Sequence, residues 1–262
     1  MSKGNNCNPL PELTKELKQW HKTPLGVELL AQEKCALEQL LPALFGYYLL
    51  HIRHTDGLGD TPSCSHIRTV VNFSRDSAGS TNCCGVMGDA ENLPFASDSI
   101  DAVLLSHTLD FSPDPHRLLR EVERVLIPEG KLIILGFNSL SLWGVWRLFH
   151  LRRRHIPWCG RFISLPRLDD WLSLLGFEVQ QVKRMMFTPP LQQGGIIRRL
   201  AMVEQLGGRY WPMLPGAYAV QAVKRVSTLT PIEPAWKLRS RVLGGGVIEP
   251  TTRTSSRELG SE

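Results

Sequence analysis

An α/β fold built around a mostly parallel sheet is the architecture this sequence predicts, on three observations. Two short apolar runs, Ile100 to Leu105 and Lys131 to Phe137, have the length and composition of strands covered on both faces. Between them lies an amphipathic helix, with Leu118, Leu119, Val122, Val125 and Leu126 on one face. Asp114 followed by Pro115 starts that helix, because a carboxylate caps free amides and proline presets φ at the first helical position. Pro128 and Gly130 are expected to end it. The order strand, helix, strand makes a right-handed parallel crossover, and Asp89 stands just ahead of the short loop Leu93-Pro94-Phe95 that precedes it.

The remaining elements follow in chain order. Residues 1 to 8 read as disordered, and Pro9 to Leu44 as one or two helices. Trp20, Leu29, Leu30, Leu37, Leu40 and Leu41 recur there at helical spacing, and Thr23-Pro24 marks a break. This N-terminal helical segment, 1–44, is expected to pack on the core. Tyr47 to Ile52 is read as the first strand, aimed at the loop HTDGLGD, with Ile67 to Phe73 the second and Val86-Met87 a short third. After the crossover come a helix from Ser164 to Gly176 and two strands, Phe177 to Met186 and Ala217 to Val226. The connection 187–216 contains a helix-like piece, Ile196 to Leu206, and is long enough to form part of a substrate lid. The main domain is thus 45–226. From Ser227 onward Pro, Gly, Ser, Thr and Arg dominate, so 227–262 is expected to be a disordered tail.

Composition excludes several classes. A chain of 262 residues, 42% hydrophobic and 21% charged, suits a soluble globular protein with a full core. No stretch approaches the roughly 20 apolar residues a bilayer span needs, and the first twenty residues lack the pattern of a signal peptide. The six cysteines show no metal-ligand spacing and are too few for a disulfide scaffold, which points to a reducing cytosol. No metal is expected. The charge of +5 is concentrated in Arg147 to Arg167 and in the tail, without nucleic-acid-binding signatures. Nucleic acid is therefore not expected as a partner.

One resemblance sharpens this reading. Asp89-Ala90 before Leu93-Pro94-Phe95, Asp101 at the start of a strand, and Arg124-Val125-Leu126-Ile127-Pro128-Glu129-Gly130 at a helix end together resemble the class I S-adenosylmethionine-dependent methyltransferases of the type-11 domain family. The resemblance implies a Rossmann-like, mostly parallel seven-stranded sheet with helices on both faces and a C-terminal antiparallel hairpin. It also implies S-adenosyl-L-methionine as cofactor, bound beyond the carboxyl ends of the strands. In the family the residue at Asp89 accepts a hydrogen bond from the adenine amino group, and that at Ala90 offers its amide; capping of the turn is the alternative role for Asp89. His107, at the end of the fourth strand, falls where the family lines the space near the sulfonium. There it is a candidate catalytic base for a hydroxyl or phenol acceptor, or a histidine that fills the loop. Ser106, in the same loop, is a further cofactor-site candidate.

The loop after the first strand departs from the family's acidic-x-Gly-x-Gly pattern. His51 stands where the acid belongs if the strand ends at Leu50, while Asp56 and Gly57 supply the right residue types several positions late. No acid stands at the immediate end of the second strand. The expected function is a methyltransferase acting on a small or lipid-like acceptor, and the alternative is a catalytically silent binding or regulatory module on the same fold. Trp143, Val145, Trp146, Leu148 and Phe149 beside Arg152-Arg153-Arg154 read as a packed helix with a solvated basic end, with peripheral membrane contact through 140–158 as the alternative. The expected location is the cytoplasm, at the inner face of a membrane where that contact forms.

Overall fold

A computed structural model describes residues 10–53, 66–74, 84–150, 156–187 and 215–226. The chain divides into two units, Met1–Val226 and Ser227–Glu262. The tail expected over 227–262 and the helix-like piece at 196–206 lie outside the described residues.

Two helices open the chain, α1 (Leu10–Trp20) and α2 (Pro24–Leu40), with the break at Thr23-Pro24. Thr23 caps α2 by accepting the Gly26 amide at 3.2 Å, and Pro24 occupies the first turn where it forfeits no helical hydrogen bond. The sheet strands are β1 (Tyr48–Arg53), β2 (Thr69–Ser74), β3 (Cys84–Met87), β4 (Ile100–Ser106), β5 (Leu126–Phe137), β6 (Phe177–Met185) and β7 (Ala217–Lys224). Their order is β3-β2-β1-β4-β5-β7-β6. Pairs among β3, β2, β1, β4 and β5 are parallel, whereas β7 runs antiparallel to both β5 and β6. Strand order reverses between β1 and β4, which fixes where a ligand cleft opens.

The period-2 alternation of the central strands sorts their side chains into two apolar layers. Leu49, Ala102, Leu104, Ile133, Leu135 and Phe137 join α1 and α2 on one side. Leu50, Ile52, Val103, Leu105, Leu132 and Ile134 join the helix after β4 on the other. That is why the central strands read as continuous apolar runs.

The remaining helices are a short turn, α3 (Thr108–Phe111), then α4 (Pro115–Val125), α5 (Leu142–His150) and α6 (Leu165–Leu174). Asp114 accepts the amides of both His116 and Arg117 at 3.1 Å, so it caps α4 as its sequence predicts. Asp114→Ala should cost about 1 kcal/mol of stability, measured by urea denaturation; an unchanged midpoint would show that the cap contributes nothing.

Three expectations need correction. α4 ends at Val125, because β5 begins at Leu126 rather than at Lys131. The early stretch pairs irregularly: Ile100 faces Leu126 but Ala102 faces Lys131, and Glu129 absorbs the excess chain at φ 62°. A non-glycine residue thus takes a left-handed conformation there. Serine stands at the start of α6 as read, but Ser164 makes no side-chain cap hydrogen bond, and a proline occupies the first turn. The cysteines are not all thiols either: Cys35 is free and exposed, while Cys159 is disulfide-bonded.

Candidate functional site

The carboxyl ends of β1, β2 and β3 and the turn after β4 enclose a narrow cleft. Its lining includes Ile52 and Arg53 from β1, Phe73 and Ser74 from β2, Gly88, Asp89 and Ala90 after β3, and Thr108 after β4. Gly88 is required by close approach, since a Cβ there would lie 2.9 Å from the Phe73 ring. Asp89 accepts the Glu91 amide at 3.3 Å, so its carboxylate organises the turn while facing the cleft. Both roles weighed for Asp89 in the sequence are geometrically compatible.

The arginine of the helix-end motif, Arg124, has a mechanical task here. Arg124 donates to the carbonyls of Leu93 and Phe95, each at 3.0 Å, and pairs with Glu121 at 2.9 Å. Glu121 in turn accepts the Leu93 amide at 3.1 Å. Two side chains of α4 therefore clamp the loop that carries Asp89 and Ala90. Hydrogen bonding to Arg124 holds the Glu121 carboxyl below its ordinary range, which keeps the clamp ionised. Glu91 closes the cleft's rim by accepting from Ser112 Oγ and the Asp114 amide, both at 3.1 Å.

His51 is not placed in the loop after β1. The strand continues to Arg53, so His51 is an interior strand residue, 1% exposed, with Nε2 2.8 Å from Ser106 Oγ. Burial, assisted by the Arg53 charge, lowers its pKa to about 3, and it is neutral. The cleft-lining members of this region are Arg53 and Ile52, whereas His51 and Ser106 bond to one another inside the protein. Asp56 and Gly57 lie outside the described residues.

His107 sits in a different microenvironment from the cleft. It adopts φ 53°, ψ 17°, a left-handed conformation for a non-glycine residue. Its Nε2 is 2.6 Å from Glu33 Oε1 on α2, and its Nδ1 is 2.9 Å from Asp110 Oδ2. Asp110 also accepts the Phe137 amide at 3.1 Å, and the imidazole stacks on Phe137 with centroids 4.2 Å apart. Trp143 and Phe162 stack further on Phe137. Burial by itself would lower the His107 pKa, but the two carboxylates raise it to about 10. The ring is therefore an imidazolium at neutral pH that donates from both nitrogens. A base role would require it first to surrender a proton to Glu33 or Asp110. Burial raises the Asp110 carboxyl in turn, against the opposing pull of His107.

Glu33 is the residue that sequence reasoning missed. It is 1% exposed, and its Oε2, like Asp110 Oδ1, is buried without a hydrogen-bond partner. A signal was available: 29, 33 and 37 are spaced four apart, so this acid sits on the stripe of Leu29 and Leu37. Among the described residues no cluster of side chains could hold a metal ion.

With this geometry in hand, comparison with known proteins places the chain. The family model described as "Methyltransferase domain" matches residues 67–134. The uncharacterized protein YafS of Escherichia coli (strain K12) is 36% identical over 176 residues, covering 67% of this chain and 71% of that protein. A chloroplastic 2-methyl-6-phytyl-1,4-hydroquinone methyltransferase of Arabidopsis thaliana is 37% identical over 130 residues. That match covers 43% of this chain and only 38% of the plant protein. Among solved structures, a SAM-dependent methyltransferase of Thermotoga maritima, titled as a possible histamine N-methyltransferase, superposes with a TM-score of 0.58 at 19% identity. It covers 82% of this chain and 97% of that one, a likeness of fold.

Proposed function

Because the chain belongs to the class I S-adenosylmethionine-dependent methyltransferases, we propose that it transfers the methyl group of its cofactor to a small or lipid-like acceptor. The cofactor is S-adenosyl-L-methionine, which when bound supplies a methyl group already activated on a sulfonium. The observation that carries the reading is the cleft at the ends of β1 to β4, where the apolar Ile52 and Phe73 and the polar Asp89 and Arg53 converge. These residue types fit the group: apolar walls suit a flat ring, a carboxylate suits its exocyclic amine, and a guanidinium suits the methionine carboxylate.

Asp89 and Ala90 are assigned to the adenine, and Arg53 to the carboxylate end. Asp56 and Gly57 remain assigned to the methionine portion by their place in the sequence. His51 and Ser106 support the site from beneath, by fixing β1 to β4 through their mutual hydrogen bond. His107 enters as a positioning residue that orders the turn from β4 into α3, rather than as the acceptor's base. Methyl transfer needs alignment above all, so a dedicated base is dispensable for many acceptors. The hydroquinone named for the plant relative is consistent with a lipid-soluble acceptor.

Calorimetric titration with S-adenosylmethionine and S-adenosylhomocysteine tests the reading. Wild type should bind both, and Asp89→Ala should bind each roughly 10-fold to 100-fold more weakly, the worth of one hydrogen bond to a charged group. Failure of the folded wild type to bind either ligand would overturn the proposal in favour of a silent module.

A further inference from the structure

A second cavity lies away from the cofactor cleft, between α6 and the antiparallel strands at the end of the sheet. Val179 and Val182 of β6 and Val220 of β7 form one wall, and Leu165, Pro166 and Leu168 of α6 the other. Asn138 and Leu140, just past β5, extend the lining. The cavity measures about 380 Å³. Close-packed interiors hold few voids larger than a water molecule, whereas small-molecule sites run to roughly 300–1,000 Å³, so the size is that of a ligand site.

Local sequence builds these walls. Strict alternation would put Val179 and Val182 on opposite faces of β6. The register shift between Val179 and Gln181 inserts one extra residue, so both valines join the same apolar layer as Val220. Across from them, Leu165 and Leu168 stand at i and i+3 of α6 and belong to that layer too, while Asp169 follows Leu165 by one turn.

The rim indicates which polar group the occupant carries. Asp169 and Arg184 also line the cavity, both exposed, and neither has a hydrogen bond or ion pair among the described residues. Asn138 is already committed, since its Oδ1 accepts the Leu140 amide at 3.0 Å. A ligand with a full charge would gain from one of the rim pair and lose to the other. A hydroxyl or phenol instead donates to the carboxylate and accepts from the guanidinium. We propose that this cavity binds a small, mostly apolar molecule that carries a neutral hydroxyl or phenol group. The inference goes beyond the methyl-transfer reading and needs no assumption about the cofactor cleft.

Calorimetric titration of the full chain with para-hexylphenol tests it, alongside the anionic para-hexylbenzoate and the cationic para-hexylbenzylammonium. Wild type should bind the phenol with a submillimolar Kd, and roughly 3-fold or more tightly than either ion. Val182→Trp fills the cavity from a half-buried strand position where an aromatic side chain is tolerated. It should weaken the phenol at least roughly 10-fold while keeping its circular dichroism and cooperative urea unfolding. Asp169→Asn should raise the benzoate affinity roughly 2-fold to 5-fold, and Arg184→Gln should do the same for the ammonium, by removing the like charge. Failure of the folded wild type to bind the phenol, undiminished binding by Val182→Trp, or a preference among the three probes that neither rim variant shifts would each overturn the proposal. A wild type that binds the phenol but not S-adenosylmethionine would support this site while overturning the methyl-transfer reading.

Discussion

Replacing Glu33 by alanine should destabilise the protein by roughly 3–5 kcal/mol near neutral pH, the cost of removing one partner of a buried pair. Glu33 and Asp110 are 1% and 0% exposed, and His107 lies between them. Without Glu33, burial pulls the His107 pKa down with only Asp110 to oppose it. The pH dependence carries a specific sign. A histidine raised from 6.5 to about 10 in the fold contributes stability that is fully present below pH 6.5 and lost as pH climbs through about 10. The gap between wild type and Glu33→Ala should therefore be largest below pH 6.5 and shrink toward pH 10. His21 and His51 act in the opposite direction. Burial lowers them to about 4 and about 3, so their contribution is present above pH 6.5 and fades as pH falls toward those values. Urea denaturation of both proteins across this range is the measurement. A difference that stays flat from pH 6 to 10 would mean that Glu33 contributes packing and not a paired charge. A double-mutant cycle adds a second check: with Glu33→Leu, the further change His107→Asn should cost less than it does in wild type. Asparagine tolerates the left-handed backbone that His107 adopts, so the cycle reads the pair and not the turn.

Sequence and structure agree where local chemistry dictates the outcome. The cap at Asp114, the proline at Pro115 and the two apolar runs of β4 and β5 are local or periodic signals, and they give the crossover directly. The start of β5 was not legible, since Pro128 and Gly130 look like helix punctuation. In the fold they belong to an irregular strand entry that only its pairing with β4 defines. His51 lies inside the strand read over Tyr47 to Ile52, and the strand does not end at Leu50, the condition on which His51 was set at the cofactor loop; Ser106 across the sheet supplies it a partner and makes burial tolerable. The triad was half legible. His107 was singled out by its place after β4, whereas its role depends on Glu33, 74 residues earlier. An acid on an apolar helical stripe carries that information, although nothing in the stripe says which cation it will meet.

The same distinction between local and distant partners makes Lys224 the other position of large effect. It closes β7 at 7% exposure, and its ammonium donates to the carbonyls of Glu123, in the last turn of α4, at 2.7 Å and of Leu126, the residue that follows the helix, at 2.8 Å. It also lies 3.0 Å from Asp98 and 3.1 Å from Glu123 Oε1. The two carboxylates are well exposed, with side chains at 56% and 36%, so the ion pairs contribute little. The carbonyls decide the outcome. They end a helix, where the dipole favours a cation, and each loses a charge-assisted bond if the ammonium is removed. Lys224→Met keeps the aliphatic stem and should cost roughly 2–4 kcal/mol, at about 1–2 kcal/mol for each acceptor left without its donor. Asp98→Asn should cost no more than about 0.5 kcal/mol, because it removes only the exposed partner and asparagine accepts the φ of 50° found there. Chemical denaturation of the two variants side by side separates the accounts. Equal losses would place the stabilisation in the ion pair, whereas a large loss for Lys224→Met alone locates it in the carbonyls that bind β7 to the end of α4.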